Sequence, residues 1–264
     1  MELALFRPRP PDSVTGPGSD GTFGRFRVLP TRERLGWAAA GSWRRATGSG
    51  LSGKAGGVDH KNGWLRLLET NPDHSLWYIN RFRSMADAGT DLAGEARFVD
   101  AMARRRARIL DAGCGTGRVG GRLAASDHDV VGVDLDPVLI DAARRAYPRP
   151  TWLLGDLAEL DLPSAGIVEG FDVVVCAGNV MTFLAPDTRV EVLRRMGGHL
   201  REGGRLVVGF GAGRGYDFAE FLDDAGVSGL LPDLLLSTWD LRPFGHASDF
   251  LVAVLRAVQA PETG

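Results

Sequence analysis

Cysteine is scarce, with Cys114 and Cys176 the two present in 264 residues. Each falls in an apolar, strand-like stretch, so they are weak evidence for a disulfide and both thiols read as reduced and buried. No stretch approaches the roughly 18 consecutive apolar residues of a membrane-crossing helix, and residues 1–11 hold no apolar run ending in a cleavage site. The expectation is a cytosolic protein with no membrane partner. A surplus of one charge is missing too: 31 Lys/Arg against 33 Asp/Glu give −2. That removes the basic footprint of phosphate-backbone binding, so nucleic acid is not an expected partner. No Cys/His set has zinc spacing, no paired acids form a divalent cage, and no Ser-His-Asp arrangement is visible, so no metal is expected. What remains is ordinary, 44% hydrophobic and 24% charged, and suits a globular domain with a sizeable core.

The average hides a break near residue 57. Residues 1–57 carry nine Lys/Arg against four Asp/Glu, with eleven Gly and five Pro, a surplus of five positive charges that leaves −7 for the remainder. This part lacks strand or helix periodicity apart from Leu35–Trp43, and reads as a disordered extension. A basic docking arm, a targeting segment and a stretch without a function of its own compete for it, and the last is favoured. Arg44-Arg45 is followed by Gly/Ser-rich sequence where a twin-arginine export signal needs an apolar run.

From Val58 the pattern becomes regular, and residues 58–107 read as a helical cap. Trp64, Leu65, Leu67 and Leu68 suit one helix; Leu76, Trp77, Ile79, Phe82 and Met85 a second; Leu92, Phe98, Val99 and Met102 a third, closed by Arg104–Arg106 at the negative end of its dipole. Residues 108–264 alternate strictly. Strands are expected at Ile109–Asp111, Val130–Val133, Trp152–Leu154, Phe171–Ala177 and Arg205–Phe210. Helices are expected at Val119–Ala125, at Pro137–Ala146 with Asp136 as its cap, and at Asp187–Leu200 ending before Gly203-Gly204. Such alternation, with near-continuous Val/Ile/Leu strands, makes an α/β fold with a doubly wound, mostly parallel sheet. Two further strands, Leu234–Trp239 and Phe250–Arg256, are joined by about ten residues, too few for a helical crossover, so an antiparallel hairpin closes the sheet.

The most specific signal is Leu110-Asp111-Ala112-Gly113-Cys114-Gly115-Thr116-Gly117, a glycine loop between a strand end and a helix start, where backbone N–H groups can face a ligand unobstructed. Asp134 closes the next strand, 21 residues after Gly113, where a carboxylate can accept from ribose hydroxyls. Gly155-Asp156-Leu157 follows at the third strand end, an acid and an apolar residue able to flank a purine. Three successive strand ends thus present nucleoside-binding groups.

These residues resemble the class I S-adenosylmethionine-dependent methyltransferases over about Trp64–Ala257. The resemblance implies a Rossmann-like seven-stranded sheet of order 3-2-1-4-5-7-6 with the seventh strand antiparallel, and S-adenosylmethionine as methyl donor bound by residues 108–264. It implies that Gly113, Gly115 and Gly117 line the methionine part with Asp111 beneath the loop, that Asp134 holds the ribose, and that Asp156 and Leu157 meet the adenine. Ala177 to Asn179 would face the sulfonium and the acceptor. A dinucleotide loop is the rival, but its fingerprint wants glycine where Arg118 stands. An NAD-dependent oxidoreductase and a non-catalytic S-adenosylmethionine-binding module therefore remain as alternatives.

Methyl transfer from a sulfonium loses charge and needs mainly alignment in a dry site, with a general base helping a hydroxyl or amine acceptor. His246, in the hairpin loop with Arg242, and Tyr78, on the cap's second helix beside His74, Trp77 and Arg81, are the candidates. Tyr78 and Arg83 face differently from Leu76 and Ile79 and are expected toward the pocket. His199 needs nothing beyond its place in a helix's last turn. Cys176-Ala177-Gly178-Asn179-Val180 lacks the Asn/Asp-Pro-Pro-Tyr of enzymes that methylate DNA bases or glutamine. The expected acceptor is a small molecule, methylated at O or N.

Overall fold

The computed structural model describes residues 61–258. The readings of residues 1–57 lie outside the described residues. Three helices come first: α1 (Gly63–Thr70), α2 (His74–Asp87) and α3 (Gly94–Met102). The Asn62 side chain starts α1 by accepting from the Trp64 N–H at 2.8 Å. Then the alternation sets in: β1 (Arg108–Ala112), α4 (Arg118–Ala125), β2 (Asp129–Asp134), α5 (Pro137–Ala146), β3 (Thr151–Leu154), β4 (Phe171–Cys176), α6 (Arg189–Gly198) and β5 (Leu200–Gly211). The described residues finish with α7 (Phe218–Val227), β6 (Leu230–Leu236) and β7 (Phe250–Ala257).

The seven strands of the described residues form one sheet in the order β3-β2-β1-β4-β5-β7-β6. β1 to β5 pair in parallel, and β7 runs antiparallel between β5 and β6. The expected doubly wound sheet with an antiparallel terminal hairpin is what forms. Period-2 alternation distributes the core over both faces. Ile109, Val130, Val175 and Val207 pack with Phe98 and Val99 of α3 and Leu123 of α4. Leu110, Val131, Val174, Leu206 and Val208 pack on the other face with Val192 and Met196 of α6 and Phe221 of α7. β4 is buried along its whole length, as a central parallel strand covered on both faces must be.

Several boundaries move. Arg104–Arg106 do not close α3, which stops at Met102; Arg104 instead pairs with the buried Asp172 at 2.8 Å, and Arg106 takes a left-handed turn into β1. α6 ends at Gly198 with His199 as its C-cap, and Gly203-Gly204 lie inside β5, which pairs with Phe171 from Leu200 onward. β6 starts four residues before the expected strand and ends three before Trp239. That indole leaves the ladder to pack on Gly209, where a Cβ would lie 2.3 Å from it, and edge-on to Phe98. α7 occupies a stretch for which no helix was expected. On α2, Leu76 and Trp77 are not core: both are about half exposed, Trp77 stacking on His74, while Ser75, Tyr78, Ile79 and Phe82 face inward. No helix among the described residues is long and apolar enough to cross a membrane.

Candidate active site

Strand order reverses at β1: the chain winds outward through β2 and β3, then returns to β4 on the other side. A crevice opens at such a point beyond the carboxyl ends of the strands. The glycine loop is built into it. The N–H groups of Gly113 and Cys114 both donate to the Val133 carbonyl, at 2.8 and 3.0 Å, and the Gly115 N–H donates to Asp134 Oδ2 at 2.8 Å. Gly113 and Gly115 have φ of 76° and 54°, values that L side chains resist, so glycine is what lets β1 turn sharply into α4.

An open cleft lies over this loop. Gly113, Gly115, Asp134, Asp156, Leu157 and Ala177 all line it. Asp111 lies below, in an adjoining recess shared with Cys114, Thr116 and Arg118, its Oδ2 accepting from the Gly120 N–H at 2.8 Å. Two expected residues point elsewhere. Gly117 does not line the cleft: a Cβ there would lie 2.8 Å from the Trp152 ring, and Gly120 and Gly132 complete the same slot, so this glycine makes room for the indole. The Asn179 side chain turns to the end of β5, where its Oδ1 accepts from the Gly211 N–H at 2.8 Å. His246 is exposed in the loop between β6 and β7, apart from the cleft-lining residues. Arg83 is exposed as well, whereas Tyr78 reaches the cleft and lies against the glycine loop.

Burial sets the electrostatics. It pushes the Asp111 carboxyl up to about 7, against the opposing pull of the Gly120 N–H and the Arg118 charge. It pushes Asp134 up to about 6, although backbone N–H groups of Asp136 and Gly115 favour its charged form. Tyr78 is pushed by burial up to about 12, so its phenol stays protonated at neutral pH. Arg118, which stands where a dinucleotide loop has glycine, turns away to a bidentate pair with Glu95, at 2.9 and 2.6 Å.

Further residues of the cleft were not expected from sequence. Trp64 stands edge-on to Tyr78 and to Phe183, with ring centroids 5.4 and 5.6 Å away, and the three make an aromatic wall. Asp136 caps α5 through Oδ1, as expected, and its Oδ2 accepts from Trp64 Nε1–H at 2.8 Å and from the Ser75 hydroxyl. One carboxylate therefore fastens α1 and α2 over the carboxyl edge of the sheet. A Trp in a short amphipathic helix is the one signal that sequence offered, and it reads equally well as core.

The donor set fits a nucleoside. Two carboxylates, Asp134 and Asp156, end adjacent strands, with Leu135, Leu139 and Leu157 between and beside them. Asp134 retains free lone pairs after its backbone bonds. A Cβ built on Gly178, at φ 72°, would meet nothing within 4 Å, so the cleft is open over the end of β4.

Comparison with known proteins agrees. A model of the methyltransferase domain family matches residues 109–204. A solved structure of a TehB-like SAM-dependent methyltransferase from Corynebacterium glutamicum is 50% identical, with a TM-score of 0.67, covering 71% of this chain and 100% of that one. The chain belongs to the class I S-adenosylmethionine-dependent methyltransferases. Enzymes of that family use S-adenosylmethionine as methyl donor. An uncharacterized methyltransferase of Mycobacterium tuberculosis is 41% identical over 102 residues, 38% of this chain and 48% of the relative. The dTDP-4-amino-2,3,4,6-tetradeoxy-D-glucose N,N-dimethyltransferase of Saccharopolyspora spinosa is 32% identical over 145 residues, 52% of this chain and 54% of that enzyme. The chain thus spans about half the length of these curated relatives.

Proposed function

We propose that the chain transfers a methyl group from S-adenosylmethionine to an amine nitrogen of a small molecule. When bound, the donor supplies a methyl group on a positively charged sulfur. The chain's own work is to hold, align and exclude water. In this reading Asp134 accepts from the ribose hydroxyls, Asp156 and Leu157 meet the adenine, Gly113 and Gly115 give backbone access to the methionine part, and Asp111 lies near its ammonium group. Trp64, Tyr78 and Phe183 keep water from the reacting centre.

The observation that favours nitrogen over oxygen is the poverty of bases. Of the residues lining the cleft, Tyr78, Asp134 and Asp156 carry an acidic group. Tyr78 is held protonated, Asp134 is engaged by two backbone N–H groups, and Asp156 accepts from the Ala158 N–H at 2.9 Å. A neutral amine attacks with its own lone pair and can shed its proton afterwards; a hydroxyl needs a base during the attack. The N,N-dimethyltransferase name of one relative points the same way.

Calorimetry with S-adenosylhomocysteine, S-adenosylmethionine and NAD(H), on the wild type and on Asp134→Ala, tests the donor assignment. The sulfur nucleosides should bind and NAD(H) should not, and Asp134→Ala should lose about 1.5–3 kcal/mol of binding, since a charged acceptor to hydroxyls is deleted. Unchanged affinity in the variant removes Asp134 from the site. Labelled methyl transfer to a panel of primary and secondary amines tests the reaction: a chain that binds donor yet methylates none of them would be a binding module instead.

A further inference from the structure

The lining of the cleft divides by the strand that delivers it. Asp134 closes β2 and Asp156 follows β3, whereas Gly178, Val180, Phe183 and Leu184 follow β4. Strand order sets β2 and β3 on one side of the glycine loop and β4 on the other. Both carboxylates of the cleft thus come from one side, and the lining residues that follow β4 carry no ionisable group. The cap adds Asn62, Trp64 and Tyr78, an amide and two aromatic rings.

Further titratable groups stand outside this space. His74 and Asp136 touch the Trp64 ring and its Nε1–H, but line neither the cleft nor the recess beside it. In the recess Asp111 is 2% exposed beneath the glycine loop, burial pushes the Cys114 thiol up, and Arg118 is paired with Glu95. With the donor held as proposed above, the nucleoside engages Asp134 and Asp156, and Tyr78 keeps its proton. An ammonium entering the cleft then meets neither a carboxylate to hold it nor a base to take its proton.

That selects the nitrogen. An alkylamine titrates near 10.4, as lysine does, so at about pH 7.4 roughly one molecule in a thousand has its lone pair free. A nitrogen within an aromatic ring titrates near 6.5, as histidine does, and one attached to such a ring lower still, because the ring shares its lone pair. The walls suit such a ring as well. Trp64 stands at 88° to both Tyr78 and Phe183, and a Cβ on Gly63 would lie 3.3 Å from the Phe183 carbonyl oxygen, so α1 is seated directly on the segment after β4. Edges and faces offered together favour a flat aromatic guest.

We propose that the methyl acceptor is an arylamine, its reacting nitrogen attached to an aromatic ring and uncharged at neutral pH. The inference rests on the amine reading of the cleft. The nitrogen lone pair forms the new N–C bond as the carbon–sulfur bond breaks and leaves its electron pair on sulfur. The methylated anilinium is acidic enough to give its proton to water, so no side chain has to take it.

The test is labelled methyl transfer by the full chain to two pairs that share a ring and differ by one methylene: aniline with benzylamine, and a naphthylamine with the matching naphthylmethylamine. At about pH 7.5 the arylamine of at least one pair should show a kcat/KM about ten-fold higher or more. Raising the pH frees the alkylamine alone, so the ratio of alkyl to aryl kcat/KM should climb about ten-fold by about pH 8.5. Groups that titrate on the protein cancel in this ratio. Transfer to the arylamine alone at both pH values supports the proposal equally. An alkylamine that matches its aryl partner at the lower pH overturns it, as does a ratio that stays flat, since the cleft would then accept the cation and remove its proton. Transfer confined to alkylamines defeats this inference and leaves the amine reading standing. Transfer to neither class by a chain that binds S-adenosylhomocysteine defeats both.

Discussion

Asp111 and Asp134 are acids held in a place that disfavours their charge, and this fixes the sign of a pH effect. In the unfolded chain each titrates near the ordinary carboxyl value; in the fold burial raises Asp111 to about 7 and Asp134 to about 6. The folded state then binds more protons between about pH 4 and 7, so their contribution is most favourable below that window, is lost as pH rises through it and levels off above. Asp111→Asn keeps an acceptor for the Gly120 N–H and removes the ionisation. Its melting temperature relative to wild type should therefore climb between pH 5 and pH 8. His199, held below its usual value by burial, works in the opposite direction over part of this range, but it is common to both proteins and cancels in the difference. A difference that stays constant with pH would show that Asp111 is ionised throughout. Residues of this kind were legible in sequence because glycine spacing and strand ends locate them. Asn179 was not, since its left-handed backbone, φ 68°, aims the side chain at β5 and nothing in the residue type foretells that.

At the scale of elements, the cap over the cleft hangs on one carboxylate. Asp136 Oδ1 serves α5, while Oδ2 accepts hydrogen bonds from Trp64 on α1 and Ser75 on α2. Asp136→Asn leaves an acceptor for the α5 cap but turns an NH2 group toward two donors. The local cost should be about 1–3 kcal/mol, the range for losing bonds to a buried acceptor. Hydrogen exchange should then quicken across Gly63–Asp87 while β1, β4 and β5 keep their protection, and the nucleoside should leave faster. Uniform loss of protection would mean instead that α1 and α2 unfold only with the sheet. The α5 cap was readable from Asp-Pro at a strand-to-helix turn. The contact to Trp64 was not, because it joins residues 72 apart in sequence. For the same reason periodicity put Leu76 and Trp77 on the apolar stripe of a helix: it registers the stripe but not whether another element arrives to cover it.

For the whole molecule, strand directions followed from few constraints, while the order of the strands came from the family resemblance. Right-handed crossovers keep β1 to β5 parallel, and a connection too short for a crossover forces the last pair to run antiparallel. Boundaries were less legible where tertiary packing overrides local signals: Gly203-Gly204 look like a helix stop yet lie in β5, and Trp239 looks like strand yet fills the space over Gly209. The same packing predicts what the chain can lose. Both sheet faces are covered by helices between Gly94 and Val227, and the cap is already fastened through Trp64 and Ser75. A chain beginning at Val58 keeps all of these contacts. It is expected to melt within about 2 °C of the full chain and to bind S-adenosylhomocysteine within about two-fold of it. In a domain of this size 1 kcal/mol corresponds to about 2–4 °C. A fall beyond about 5 °C would therefore mean that residues 1–57 contribute more than 1 kcal/mol to the folded state, and their basic surplus would then become the first feature to explain.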